Sequence, residues 1–288
     1  MTKIRIVTDS TADLPADIRK QFEIEMVPLQ LSFGDETFLD AVTIETDQFY
    51  QKLAASEQLP KSSQPSTIAF KELYERILTE TPDAQIISIH LSAALSGTYQ
   101  SAVIGSTMVE IEDAESHLTV FDSKSASIGI GVLVLKAAEM AGSGSSKEQI
   151  IAELEKLRAE TKIYFLVDTL EYLQKGGRIG KASAVIGSLL NIKPILTLDE
   201  DGVVSSIDKV RGQKKAMLRI VELLHEKFNS QEPVTVTFAY AERLEGAQEM
   251  NELLKSHFNV QGTTYYELGP VIGTHAGPGT VGLFMHRV

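Results

Sequence analysis

Short apolar runs that stop at polar, often glycine-bearing motifs recur along this 288-residue chain. Residues 4–7, 86–89 and 118–121 are compact and mostly apolar, as buried strands are. Polar residues follow each run, and a segment predicted to be helical comes next. Strands that alternate with helices form a mostly parallel sheet, and ligands bind at the carboxyl ends of its strands. The pattern therefore predicts a doubly wound α/β domain with a binding site built from strand-end loops.

Five segments of this first part are predicted to be helices: residues 14–22, 67–79, about 96 to beyond 108, 128–140 and 147–159. Pro15 fits the first turn of the first helix. The fourth is almost entirely apolar and is therefore expected to be buried. Ser145 and Glu148 have the spacing of a capping box at the start of the last.

After residue 160 the pattern changes to strands that pair through hairpins. Residues 163–167, 194–198, 203–207 and 234–239 are strand candidates, and residues 199–202 (DEDG) form a hairpin turn between two of them. An apolar stripe over 217–228 predicts another helix. We expect an α/β domain over residues 1–160 and an α+β domain over 161–288. The last strand, residues 281–285, could pack on either.

Composition and charge exclude several function classes. The chain has no Cys, so disulfides and thiolate chemistry are impossible. No apolar run approaches the ~20 residues of a membrane span, so we expect no stable membrane insertion and a cytoplasmic protein. A net charge of −12 argues against nucleic acid as a partner. Residues 172–219 nevertheless carry nine basic and four acidic residues, either a solvated surface or a docking face for an acidic or phosphate-bearing partner.

Three motifs combine hydroxyls, glycines and one histidine. Ser96 and Gly97 follow a predicted strand and open a helix, where free backbone N–H groups can hold an anion; an ordinary N-cap serine is the alternative. Ser62 lies in a loop before another helix, where the motif taken alone favours a plain turn. His275 is set among glycines, and we expect it to be held by backbone and to face a cleft; it is either a ligand contact or a loop histidine.

Bond-breaking chemistry has little support in these motifs. Ser96 and His275 lack the G-x-S-x-G elbow and an acid to orient the histidine. Phosphatases with an Asp nucleophile use a second Asp, two positions later, as the acid. Asp9 is followed at that position by Thr11. The sequence contains no P-loop and no metal-ligand cluster. We therefore predict no catalytic residue, no metal and no cofactor of the chain's own.

Seven short motifs occur in an order and spacing that resemble the DegV family across essentially the whole chain: TDST, SQP, LSGTY, DSK, GGRI, KP and GPVIGTHAGPG. The resemblance implies a two-domain protein that binds one long-chain fatty acid in a tunnel between or within its domains. It further implies the acyl-binding subunit of bacterial fatty acid kinase. Such a subunit presents the carboxylate to a separate ATP-binding subunit, which makes acyl-phosphate for phospholipid synthesis.

The resemblance also implies roles for individual residues. The carboxylate would be bound by Ser62, Ser96, Gly97 and His275. The kinase subunit would face Arg178, Lys193 and Arg211. Ser62 stands where relatives often have Thr, and Ala93-Ala94 replaces their Ser-Gly before LSG.

Two other functions remain consistent with the sequence. One is an α/β enzyme that acts on a small phosphorylated or carboxylated metabolite. The other is a regulatory module that carries lipid only as a structural filler. Turnover by the chain alone would favour the first, and lack of exchange with free fatty acid would favour the second.

Overall fold

The computed structural model describes residues 3–111, 113–187 and 192–288. The chain divides into two compact units. The first unit holds the residues up to Glu45 together with Pro60–Ala159, and the second holds Thr46–Leu59 and Glu160–Val288. The segment Thr46–Leu59 thus joins the second unit, although it lies early in the sequence.

The strands are β1 (Ile4–Asp9), β2 (Glu25–Val27), β3 (Gln30–Phe33), β4 (Glu36–Leu39), β5 (Lys61–Ser63), β6 (Gln85–His90), β7 (Leu118–Asp122), β8 (Lys162–Leu166), β9 (Ile192–Leu198), β10 (Val204–Arg211), β11 (Pro233–Tyr240), β12 (Asn259–Glu267) and β13 (Val281–Arg287). The α-helices are α1 (Ala16–Gln21), α2 (Thr46–Ala55), α3 (Thr67–Glu80), α4 (Thr98–Thr107), α5 (Ala114–His117), α6 (Ile128–Gly142), α7 (Lys147–Glu160), α8 (Glu171–Lys175), α9 (Gln213–His225), α10 (Glu245–Lys255) and α11 (Pro270–Ala276).

The first unit is built on a four-stranded parallel sheet in the order β2-β1-β6-β7. Phe70, Tyr74 and Ile77 of α3 pack against one face in a buried apolar cluster. The apolar helix α6 packs against β1 and β6. This arrangement confirms the predicted α/β class, and it brings the carboxyl ends of β1, β6 and β7 to one edge.

A three-stranded antiparallel sheet, in the order β4-β3-β5, was not predicted from the sequence. Its strands are three or four residues long and mix polar with apolar residues, so their periodicity is weak. Ser62 lies in β5, opposite Leu31 of β3. The predicted turn at Ser62 is therefore wrong, because Ser62 pairs in a sheet.

The second unit contains a six-stranded mixed sheet in the order β10-β9-β8-β13-β11-β12. Only the β11–β12 pair is parallel among the paired strands described. The predicted hairpin is confirmed, since β9 and β10 pair antiparallel around residues 199–202. Helix α9 contributes Met217, Ile220 and Leu224 to the core. The last strand, β13, lies between β8 and β11.

Helix α7 starts at residue 147 as predicted, but its capping box differs from the prediction by one residue. Ser146 and Gln149, rather than Ser145 and Glu148, form the reciprocal capping box: the Gln149 amide donates to Ser146 Oγ (3.3 Å), and the Ser146 amide donates to Gln149 Oε1 (2.9 Å). Glutamine serves as well as glutamate in this position, so both spacings fit the motif.

Among the helices of the described ranges, none has the length and apolarity that spanning a membrane requires.

Asp40, just after β4, is a carboxyl group in the interior of the first unit, with 1% of its surface exposed. Burial raises its pKa from 3.8 to about 7. The nearby Asp9 carboxylate adds to the shift, while the Ser10 hydroxyl and the Arg19 guanidinium oppose it in part. The folded protein therefore holds a proton on Asp40 that the unfolded chain releases above about pH 4.

We predict that Asp40→Asn removes a pH dependence of stability. A group whose pKa is raised by folding stabilises below its unfolded pKa and loses that contribution as the pH rises through its folded pKa. At about 1.4 kcal/mol per pH unit, the wild-type free energy of unfolding should lose roughly 4 kcal/mol from this group between about pH 4 and pH 8. Urea unfolding across this range measures the effect, with exposed Asp35→Asn as the control. Parallel curves for wild type and Asp40→Asn would contradict it.

Candidate functional site

Three strand ends of the first unit are tied together by the loop that joins β6 to α4. The Ser92 amide donates to Ser125 O (3.0 Å), and the Ala93 amide donates to Asp122 Oδ1 (3.2 Å), so the loop is bound to the segment after β7. The Leu91 amide donates to Asp9 Oδ2 (3.1 Å), which binds it to the end of β1. The loop at the predicted strand-end position is therefore hydrogen-bonded to the ends of β1 and β7.

A buried polar network below this loop was not anticipated from the sequence. Asp9 Oδ2 contacts His90 Nδ1 (2.9 Å), His90 Nε2 contacts Ser88 Oγ (2.6 Å), and Ser88 Oγ contacts Tyr74 Oη (2.7 Å). All four side chains are fully buried. Asp9, Ser88 and His90 lie on the sheet face that α3 covers. The sequence offered one signal: strand alternation puts Ser88 and His90 of β6 on the same face as Ile86.

Ser96 lies two residues before α4 rather than at its cap. Gly97 is the N-cap residue, and α4 begins at Thr98. Ser96 Oγ accepts from the Thr98 amide (3.3 Å) and lies 2.9 Å from Thr98 Oγ1. The sequence placed Ser96 correctly at the strand-to-helix turn, but the glycine takes the cap. Thr98 is fully buried, whereas Ser96 is partly exposed, so the Ser96 hydroxyl and the start of α4 are the groups of the kind that bind an oxyanion.

The SQP and LSG motifs meet within the first unit. A Cβ atom on Gly97 would lie 3.0 Å from Nε2 and 3.2 Å from Cδ of Gln64, so the Gln64 side chain packs directly on the glycine. Gln64 follows Ser62 by two residues, at the end of β5. Three of the four residues assigned to the carboxylate, Ser62, Ser96 and Gly97, therefore belong to neighbouring segments of one unit.

His275 lies on a helix, which corrects the expectation of a glycine loop. Helix α11 spans Pro270–Ala276, with Pro270 in its first turn. Its glycines allow close packing inside the second unit: a Cβ on Gly273 would lie 2.7 Å from Phe49 Cε1 and 2.7 Å from Tyr50 Oη of α2. The GGRI motif is held in the same way, since a Cβ on Gly176 would overlap the His275 ring. His275 is thus positioned by packing as well as by backbone.

Burial and, to a smaller extent, the nearby Arg178 guanidinium lower the pKa of His275 to about 4. The imidazole is therefore neutral at neutral pH, with one nitrogen as donor and the other as acceptor. Such a ring can hydrogen-bond a polar ligand without bringing a charge of its own.

The three residues expected to face a kinase subunit have different surroundings in the second unit. Arg178 is half-buried, and its Nη1 donates to Gly176 O (2.8 Å). Lys193 Nζ donates to Val167 O (3.1 Å) and Asp168 O (3.2 Å), so it ties down the end of β8. Arg211 ends the edge strand β10 and is exposed. Within the described ranges, no group of three or more His, Asp or Glu side chains is arranged to hold a metal ion.

Residues 3–287 match a family model described as an uncharacterised protein of the DegV family. The chain belongs to the DegV family. It is 40% identical over 284 residues to a DegV domain-containing protein of Halalkalibacterium halodurans, with 98% of each sequence covered. Its structure is similar over the full length of both chains to that of a DegV family protein from Thermus thermophilus, with a TM-score of 0.91 and 36% identity. That structure is described as the fatty acid binding of a DegV family protein. The chain also matches all of DegV from Bacillus subtilis, described as a fatty acid binding protein, with a TM-score of 0.86 and 38% identity.

We predict that His275 of this DegV protein titrates with a midpoint of about 4, well below an ordinary histidine. Arg178→Met should raise the midpoint modestly, because it removes the positive charge but leaves the burial that is the larger cause. NMR titration of the imidazole resonances measures both values, and exposed His257 serves as an internal comparison. A midpoint near 6.5 for His275 would contradict the desolvated environment.

Proposed function

We propose that this chain binds one long-chain fatty acid and presents its carboxylate to a separate ATP-binding kinase subunit. The observation that carries the proposal is full-length similarity to DegV proteins described as fatty acid binding, at 36% and 38% identity. Both matches cover all of this chain, so the two units and every motif of the site are included.

The head group is assigned to the strand-end loop of the first unit. Ser96 supplies a hydroxyl just before the start of α4, where the helix dipole favours an anion, and the buried Thr98 hydroxyl lies 2.9 Å from Ser96 Oγ and helps to orient it. Gly97 has no side chain of its own to obstruct the backbone, and Ser62 adds a further hydroxyl from β5. For His275, in the second unit, the separate proposal is that it offers a neutral N–H donor. These groups suit a carboxylate, which accepts hydrogen bonds through both oxygens.

The chemistry of a fatty acid requires no catalytic group from its carrier. Burial of the tail contributes about 0.8 kcal/mol per CH₂, so the apolar contacts supply most of the affinity. A few donors then fix the orientation of the head group. Transfer of a phosphoryl group to that carboxylate is assigned to the ATP-binding subunit. Together, the two proteins would supply acyl-phosphate for phospholipid synthesis in the cytoplasm.

The kinase-facing surface is assigned to Arg178, Lys193 and Arg211 of the second unit. Arg211 is exposed at the end of the edge strand β10. A surface rich in basic residues on a chain of net charge −12 would steer an acidic protein surface or the phosphates of ATP. Lys193 is held by backbone carbonyls, so its contribution would be to the shape of this surface as well as to its charge.

Native mass spectrometry of freshly purified protein tests the binding proposal. We expect an added mass that equals one long-chain fatty acid and that is released only on unfolding. The extracted lipid should exchange with excess free fatty acid, which excludes a permanently trapped filler. A ligand-free mass with no uptake of added fatty acid would contradict the proposal and favour an enzyme that acts on a small metabolite.

We predict that Arg178→Ala retains fatty acid binding but slows acyl-phosphate formation by the cognate ATP-binding subunit. The reason is loss of a cation at the proposed subunit surface while the hydroxyl contacts to the carboxylate remain. Fatty acid affinity and phosphorylation rate are measured on the same preparation, with Lys156→Ala, an exposed lysine of α7, as the control. Loss of lipid binding in Arg178→Ala would instead assign this residue to the ligand site.

A further inference from the structure

The loop that carries Ser96 is held by hydrogen bonds to one side chain of β1, that of Asp9. The Leu91 amide, the first of the loop, donates to Asp9 Oδ2 (3.1 Å). His90, the last residue of β6, contacts the same oxygen through Nδ1 (2.9 Å). Asp9 therefore holds both the end of β6 and the start of the loop, five residues before Ser96.

Asp9 is itself held by four contacts, two on each carboxylate oxygen. The Thr11 amide (3.0 Å) and the Thr11 hydroxyl donate to Oδ1, and His90 and the Leu91 amide contact Oδ2. Two of the four are backbone amides, which can only donate. An acceptor with two free oxygens is therefore required. The amide of an asparagine would turn an NH₂ group toward two of these donors.

The hydrogen-bond direction in the network follows from this requirement. The carboxylate of Asp9 accepts a hydrogen bond from the protonated Nδ1 of His90. His90 Nε2 therefore accepts a hydrogen bond from the Ser88 hydroxyl, and Ser88 Oγ in turn accepts one from the Tyr74 hydroxyl. Every hydroxyl and ring proton then points toward Asp9. Ser88, His90 and Asp9 resemble a hydrolytic triad in composition, but all three are fully buried, so no substrate reaches Ser88.

We propose that Asp9 is a positioning residue for carboxylate recognition, because it sets the conformation of the Leu91–Gly97 loop that presents Ser96. This inference rests on the proposed binding of a fatty acid carboxylate at Ser96. Asp9 does not contact the ligand. It acts through the Leu91 amide and His90, and the loop bonds to Ser125 and Asp122 complete the support.

The test compares two ligands with the same tail, a fatty acid and the fatty alcohol of equal length. Their affinity ratio isolates head-group recognition, since tail burial cancels. We expect Asp9→Asn to lower the acid-over-alcohol ratio about tenfold, the scale of one charge-assisted hydrogen bond, with little change in alcohol affinity. Ser96→Ala should lower the ratio similarly. The double variant should fall no further than Ser96→Ala alone, because both changes act on one contact.

Tyr74→Phe is the matched structural control. It removes a buried hydroxyl at the far end of the network but leaves all four contacts of Asp9, so stability should fall while the ratio is kept. Thr11→Val removes one donor from Asp9 Oδ1 while the carboxylate stays, and it should lower the ratio in the same sense. This second variant provides the test if Asp9→Asn does not fold.

Three outcomes would overturn the inference. The first is a folded Asp9→Asn or Thr11→Val variant whose acid-over-alcohol affinity ratio equals that of the wild-type protein. The second is an equal loss of acid and alcohol affinity, which would show a purely structural role. The third is an acid-over-alcohol affinity ratio near one in the wild-type protein itself. This result would overturn the assignment of the carboxylate to Ser96 and the inference with it. Only the third also counts against the proposed function.

Discussion

The first unit depends on one buried carboxylate at the point where two parallel strands end side by side. Asp9 accepts from the backbone of its own turn and from the loop after β6, so the ends of β1 and β6 cannot move independently. A carboxylate in an apolar interior is costly unless its oxygens are hydrogen-bonded, and here each oxygen has two contacts. The burial that makes this network expensive to break also makes it specific: few other arrangements satisfy all four donors.

Much of the fold could be predicted because most of its core helices and strands show a clear pattern of hydrophobic residues along the sequence. The middle strands of the parallel sheet contain short apolar runs, and α3 and α9 carry continuous apolar stripes. The small β4-β3-β5 sheet has neither signal, since its strands are short and mix polar with apolar residues. Helix α11 was missed for a different reason. Glycine disfavours helices in isolation, but here Gly273 is required because α2 packs so closely that a Cβ would overlap Tyr50.

The candidate site shows the same division between local and long-range information. Ser96 and Gly97 could be placed at a strand-to-helix turn from neighbours in the sequence. The position of His275 against Gly176, a hundred residues earlier, could not, because it depends on the packing of α11 beside α8. The role of Asp9 also needed the structure: its partners are eighty-one and eighty-two residues away, and only the parallel pairing of β1 with β6 brings them together.

The residues proposed to bind the carboxylate include no lysine or arginine. In the first unit they offer hydroxyls and a helix start, and His275 of the second unit is an imidazole that burial keeps neutral. Fixed dipoles of this kind need no reorganisation when the ligand arrives, and they leave the carboxylate its negative charge. A carboxylate that keeps its charge remains a nucleophile toward a phosphoryl group, whereas a close ion pair with arginine would hold it back. Neutral donors therefore suit the proposed presentation of the ligand for reaction as well as its binding.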